Sequence, residues 1–93
     1  MTELDLVLEK PADTWSVADL ELIARCCNLD QPRLTLKEWR QRARQSPATA
    51  YRAAQSGRLK LTRDGSRAYV MRLDGARYFG LLMQQNRAAA QAA

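Results

Sequence analysis

The chain predicts a mainly helical α+β domain in which two helices across a tight turn lead into a two-stranded β-hairpin. Three segments carry this expectation. Leu34-Thr35-Leu36-Lys37-Glu38-Trp39 reads as a capped helix start, and Ser46-Pro47-Ala48-Thr49-Ala50-Tyr51-Arg52 reads as a second one. Ser56-Gly57-Arg58-Leu59 reads as a helix stop followed by a strand. That order is a winged helix-turn-helix over residues 34–83, the hairpin being the wing. An acidic strand/helix extension is expected over 1–33 and a frayed tail over 84–93. The whole is one domain of 93 residues.

At the start, Leu4, Leu6 and Leu8 alternate with Asp5, Val7 and Glu9, which predicts a short strand ended by Pro11. Thr14 or Ser16 then caps a helix reaching about Cys27, with Asp19 three residues after Ser16. Val17, Leu20, Ala24 and Cys27 form its apolar stripe, widened by Ile23, and Leu22 and Cys26 fall off it. The stripe is expected to pack on residues 4–8 or to meet another subunit or protein. Asn28 can end this helix, and Pro32 blocks its continuation.

Thr35 and Glu38 form a full capping box for the next helix. Leu36, Trp39 and Ala43 share a face directed to the core, and Arg40 and Arg44 share another. Only Gln45 and Ser46 look non-helical before Pro47, which takes the first position of the second helix at no cost in hydrogen bonds. Ala50, Ala53 and Ala54 let that helix pack closely, and Gly57 ends it. Asp64-Gly65 predicts a type I′ turn, pairing Leu61 with Ala68, Leu59 with Val70, Lys60 with Tyr69 and Thr62 with Arg67. A longer loop containing Ser66 shifts this register. Asp74 is expected to cap a last helix carrying Tyr78, Phe79, Leu81 and Leu82, which frays from Arg87.

Charge is unevenly distributed. The net charge is +5. Yet residues 1–34 hold three cations against seven carboxylates, and residues 35–72 hold ten against two. Basic charge concentrated on one motif favours a polyanion partner. Catalysis is not expected. There is no histidine, so nucleophilic chemistry would need a Ser–Lys, cysteine-only or metal arrangement, and no Gly-rich phosphate loop is present. Asp13, Asp19 and Glu21 are accounted for by the macrodipole near a helix start. Cys26 and Cys27 are adjacent, so a structural disulfide between them is strained, and two thiols without histidine do not make a zinc site. They read as small apolar residues on a buried helix face. No cofactor and no metal is expected. No apolar run approaches the roughly 20 residues that span a bilayer, and the acidic start lacks a signal-peptide core. A cytoplasmic location with no membrane partner is therefore expected.

The expected partner is double-stranded DNA. A helix fits the major groove, and its outward side chains reach base edges. On the second helix these are Thr49, Arg52 and Gln55, with Ala48 beside them. Arg52 suits either a bidentate contact to guanine or a plain phosphate contact, Gln55 suits adenine, and Ala48 or the Thr49 methyl suits a thymine methyl. Lys37, Arg40, Arg44, Ser46, Tyr51, Arg58 and Lys60 flank the groove and suit the DNA backbone. Arg63, Ser66 and Arg67 form the wing tip, placed in the minor groove or along its phosphates. A single module buries only about 600–1,000 Å² on DNA, so self-association on adjacent sites is expected, through the N-terminal region or the tail.

Leu34-Thr35-Leu36-Lys37-Glu38-Trp39 and Arg67-Ala68-Tyr69-Val70-Met71 resemble the lambda-type excisionases. More broadly, the Thr-x-x-Glu, Thr-x-Tyr-Arg, Gly-Arg-Leu and wing spacing is similar to the excisionase and MerR-like winged-helix superfamily. The resemblance covers Leu34 to Leu82. It implies a small phage or mobile-element protein that binds repeated sites near attachment sequences, bends the DNA and biases an integrase towards excision. It also implies that Thr49, Arg52 and Gln55 enter the major groove while Arg63–Arg67 follows the minor groove. A transcriptional regulator of such an element and a protein-interaction module are the alternatives. Three features depart from the pattern: Arg44-Gln45 at the turn, Ser66 in the wing tip and the acidic first 34 residues.

Overall fold

Capping residues decide where the helices of this chain begin. In the computed structural model, which describes residues 2–92 and their side chains through residue 90, three serine or threonine side chains each close a reciprocal box with an acid three residues on. Thr2 and Asp5 start α1 (Glu3–Glu9), Ser16 and Asp19 start α2 (Val17–Cys26), and Thr35 and Glu38 start α3 (Leu36–Ala43). A single 3-10 turn, Ala12–Thr14, links α1 to α2.

Residues 4–8 are thus helical, not the expected strand. Leu4, Val7 and Leu8 also satisfy the i, i+3, i+4 spacing of a helix face. With the Thr2–Asp5 box, that spacing prevails over the alternation; Val7 and Leu8 are buried and Leu6 is left outside. Among the described residues the only strand before α3 is β1 (Arg33–Thr35), in a stretch where the sequence suggests just a connector.

After α3 the chain turns into α4 (Pro47–Gln55), then forms β2 (Thr62–Asp64) and β3 (Arg67–Met71), and runs directly into α5 (Arg72–Ala92). The three strands make one antiparallel sheet in the order β1-β3-β2. The fold is therefore α+β and mainly helical, with a small three-stranded sheet.

The hairpin register differs from the expected one. Asp64 pairs with Arg67, Arg63 with Ala68 and Thr62 with Tyr69, so the connecting residues are Gly65 and Ser66. Gly65 has a φ of +63°, and it alone of the two turn residues has a positive value. That is the pattern of a type II′ turn, with glycine at the first central position. The shift is two residues, so each side chain keeps its face. Leu59 and Leu61 lie before β2 rather than in it, and Leu59 is fully buried.

Trp39 is the centre of the core, buried against Tyr78 and Phe79 with ring centroids 5.5 and 4.9 Å away. Trp15 is the second aromatic anchor, and its indole N–H donates to the Val7 carbonyl at 2.8 Å. Both rings rest on α5 at glycines. Ile23 and Ala24 of α2 are fully buried, and α2 packs chiefly along α5 rather than on residues 4–8. Val17 is 66% exposed and so does not join the buried side of α2, while Trp15 and Ile23 converge on Gly80. Cys26 is exposed and Cys27 half-buried, so the pair does not form the buried face expected of it.

Asp74 does not cap α5. The helix starts two residues earlier, at the end of β3, and Asp74 lies in its first turn. The helix also continues to Ala92, past the expected fraying point. Gln84 donates to the carbonyls of Leu8 and Lys10 at 3.0 and 2.7 Å, and Arg87 pairs with Asp5 at 3.3 Å. These contacts to α1 lie more than seventy positions away in sequence. No helix among the described residues is long and apolar enough to cross a membrane.

Candidate nucleic-acid interface

The turn between α3 and α4 contains Arg44, Gln45 and Ser46, one residue more than expected. Arg44 adopts the left-handed conformation at φ 52°, and the Gln45 N–H donates to the Arg40 carbonyl at 3.0 Å. This is a Schellman-type ending with arginine where glycine is usual. Arg44 therefore leaves the helical face it was expected to share with Arg40. Gln45 donates to the Tyr78 hydroxyl at 2.6 Å, which ties the turn to α5.

Ser46 starts α4. Its hydroxyl oxygen accepts from the Thr49 N–H at 3.2 Å and shares a hydrogen bond with the Thr49 hydroxyl at 2.9 Å. Ala50 and Ala53 are buried, which brings the α4 backbone close to the body of the domain. Ala48, Thr49, Tyr51, Arg52 and Gln55 are left exposed along the outer side, Tyr51 at 65%. The helix stops at Ser56. Gly57 follows at φ +80°, with the N–H groups of Gly57 and Arg58 donating to the Ala54 and Ala53 carbonyls.

Lys37, Arg58, Lys60, Arg63, Ser66 and Arg67 are also exposed. Arg40 is half-buried. Its Nε is enclosed without a hydrogen-bond partner, and the residue borders a groove of about 430 Å³ together with Leu36, Pro47, Tyr51 and Leu61.

Five cations are engaged by acids among the described residues. Lys10 pairs with Asp19, Arg33 with Asp64, Arg42 with Asp30, Arg72 with Glu21 and Arg87 with Asp5. Arg42 also donates to the Asn28 carbonyl, and Arg72 to the Leu29 carbonyl, both at 2.6 Å. These two arginines tie the connector after α2 to α3 and α5. The other eight cations of residues 35–72 are Lys37, Arg40, Arg44, Arg52, Arg58, Lys60, Arg63 and Arg67. None of them forms an ion pair or a side-chain hydrogen bond among the described residues. They are the same eight singled out above for DNA.

The sheet adds a contact that the sequence does not announce. The Arg33 guanidinium lies 4.2 Å from the centre of the Tyr69 ring and pairs with Asp64 at 3.2 Å. Arg33 thereby crosses from β1 over β3 to β2 and engages the only carboxylate at the hairpin tip. The Arg33–Asp64 separation of 31 positions, across an unpredicted strand, hides it from local pattern reading.

The capping carboxylates are held in their charged form. Asp5, Asp19 and Glu38 all have pKa values below the ordinary carboxylate range, chiefly because the backbone N–H of Thr2, Ser16 and Thr35 respectively donates to each. Burial pushes the Cys27 thiol up, with a smaller push from Cys26. Among the described residues no group of three or more metal-ligating side chains comes together. Comparison of the chain with protein-family models, curated proteins and solved structures gives no match.

Proposed function

We propose that the chain is a winged-helix protein that binds double-stranded DNA in a sequence-specific way and has no chemistry of its own. Helix α4 enters the major groove with Ala48, Thr49, Arg52 and Gln55. The β2–β3 hairpin grips alongside through Arg63, Ser66 and Arg67. Lys37, Arg40, Arg44, Ser46, Tyr51, Arg58 and Lys60 hold the backbone on either side.

One observation carries this proposal: among the described residues eight of the ten cations of residues 35–72 form no ion pair and no side-chain hydrogen bond, which leaves their charge available to a polyanion. Counterion release then supplies most of the affinity, and about five phosphate contacts give a slope near −4.5 for log K against log salt. Within the class, the excisionase role follows from the resemblance carried by Leu34–Trp39 and Arg67–Met71.

Selection of bound duplexes from a random pool tests the DNA reading. Arg52→Ala is expected to weaken binding to the selected site by about 1–3 kcal/mol and to relax preference at one base position. Arg63→Ala is expected to weaken binding across sequences and to lower the salt slope by about 0.9. Unchanged binding in both variants, or no wild-type binding at low salt, overturns the proposal. An integrase-dependent excision assay tests the role. Promoter repression without any effect on excision replaces it with that of a regulator.

A further inference from the structure

Arg58 borders two depressions on the surface. The first, about 260 Å³, lies beside the outer side of α4 with Thr49, Arg52, Ser56 and Tyr78. The second, about 350 Å³, lies between Gly57, Arg58 and Lys60 on one side and Asp74, Arg77 and Leu81 of α5 on the other. The three α5 residues are spaced by three and four, so they form one stripe facing the α4–β2 connection. A basic rim made of Arg52, Arg58, Lys60 and Arg77 therefore continues from α4 onto α5.

Arg58, Lys60 and Arg77 are exposed, and none forms an ion pair among the described residues. Arg77 donates through Nη1 to the Ala12 carbonyl at 3.3 Å, which steadies its guanidinium beside the cleft without neutralising it. Asp74 is the one carboxylate bordering the cleft, and its place in the first turn of α5 is the one the helix dipole favours. Three cations thus face one acid. Gly57 leaves the mouth open, since a β-carbon there would meet nothing within 4 Å.

We infer that this cleft seats the sugar-phosphate backbone of a duplex where it passes beyond α4, and that Arg77 is a phosphate-binding residue of the interface. The inference rests on the DNA reading above. It extends the contact beyond the helix-turn-helix and hairpin segment to α5, so it needs base pairs that flank those read by α4. A phosphate bound there meets Arg58 and Lys60 from the connection and Arg77 from the helix, a two-sided arrangement that one helix face cannot make.

The test compares random-sequence duplexes of about 12 and about 30 base pairs at low salt, lengths chosen to leave out or include flanking phosphates. The proteins are the wild type, Arg77→Gln, Lys60→Gln, Arg77→Lys and Arg52→Ala. Glutamine at 77 keeps a donor for the Ala12 carbonyl. Lys60 makes no hydrogen bond among the described residues, so its variant removes charge without touching the fold. Arg77→Gln and Lys60→Gln are each expected to weaken binding to the longer duplex about three- to tenfold and to lower its salt slope by about 0.9. Arg77→Gln changes binding to the shorter duplex less than about twofold, Lys60→Gln, already a backbone contact beside α4, weakens binding to both lengths, and Arg77→Lys retains most of the affinity. If Arg77→Gln matches the wild type on the longer duplex while Arg52→Ala binds weakly, the cleft inference fails and the DNA reading stands. An equal loss on both lengths for Arg77→Gln overturns the flanking position. A wild type that binds neither duplex overturns both.

Discussion

Trp39 and Gly75 fit together as ring against backbone. A β-carbon on Gly75 would lie 2.8 Å from Cζ3 of the indole, closer than a β-carbon comes to a non-bonded heavy atom. Gly80 stands in the same relation to Trp15, whose ring atoms would lie 2.6 and 2.7 Å from a β-carbon there. The two glycines are the seats through which α5 receives the largest side chains of the domain.

Alanine in the middle of a helix normally stabilises it over glycine by roughly 0.5–1 kcal/mol. At both of these positions the opposite sign is expected. Gly75→Ala and Gly80→Ala should each destabilise the fold by about 1–3 kcal/mol, since the rings are held on every side and cannot retreat cheaply. Urea unfolding of the two variants measures this. A rise in midpoint for either one would sink the account of its ring.

Arg44 separates stability from binding. Its left-handed backbone carries strain that glycine does not feel. Arg44→Gly is expected to raise stability by about 0.5–1 kcal/mol and, on the proposed DNA reading, to weaken DNA binding severalfold through the loss of one cation. Thermal unfolding and a salt titration of DNA binding on the same preparation read the two effects. Movement of both quantities in the same direction would contradict the expectation.

Arg33 acts on the hairpin from a neighbouring strand. As an exposed ion pair it adds little to folding, about 0–1 kcal/mol. Its larger effect is to neutralise Asp64 beside Arg63 and Arg67. Arg33→Ala is expected to lower DNA affinity about threefold or more by leaving that carboxylate to repel phosphate. Asp64→Asn in the same chain should restore most of the loss, and a double-mutant cycle measures the coupling. Strictly additive effects would show that Arg33 works on DNA directly.

Glu38 provides a test in pH. Its pKa is lowered in the folded state, first by the Thr35 N–H and then by the Thr35 hydroxyl. A carboxylate of this kind stabilises the fold above its unfolded value, about 4.3, and loses that contribution as pH falls through the folded value. Asp5 and Asp19 act in the same direction from about 3.9. The melting temperature should therefore hold between about pH 5 and 7 and fall below about 4. Glu38→Gln keeps the shape of the box but cannot titrate, so its gap from the wild type should narrow as pH falls. A gap of constant width would rule out the charge as the cause.

Local chemistry was legible and long-range anchoring was not. The boxes at Ser16 and Thr35, the proline start of α4 and the stop at Gly57 each depend on residues within four positions, and the structure has them where the sequence suggests. The helix at 3–9 is hidden because period-2 alternation and period-3.6 spacing coexist in the same residues, and the Thr2–Asp5 box decides between them. The strand β1 was missed because three residues form it only by pairing with β3 some 34–38 positions later. The length of α5 was missed because Gln84 and Arg87 find their partners at the opposite end of the chain. For the candidate site, the basic segment is readable from composition alone, whereas the engagement of Arg42 by Asp30 and of Arg72 by Glu21 is visible only in the folded arrangement.

No residue stands between Met71, where β3 ends, and Arg72, where α5 begins. The hairpin therefore has no hinge at its base. On the DNA reading proposed above, a duplex that tilted the hairpin would turn α5 with it, and Arg72 links the start of α5 to Glu21 of α2 and to the Leu29 carbonyl. Load taken at the tip is borne by the whole body of the domain, much as a handle forged in one piece with its blade passes on every twist.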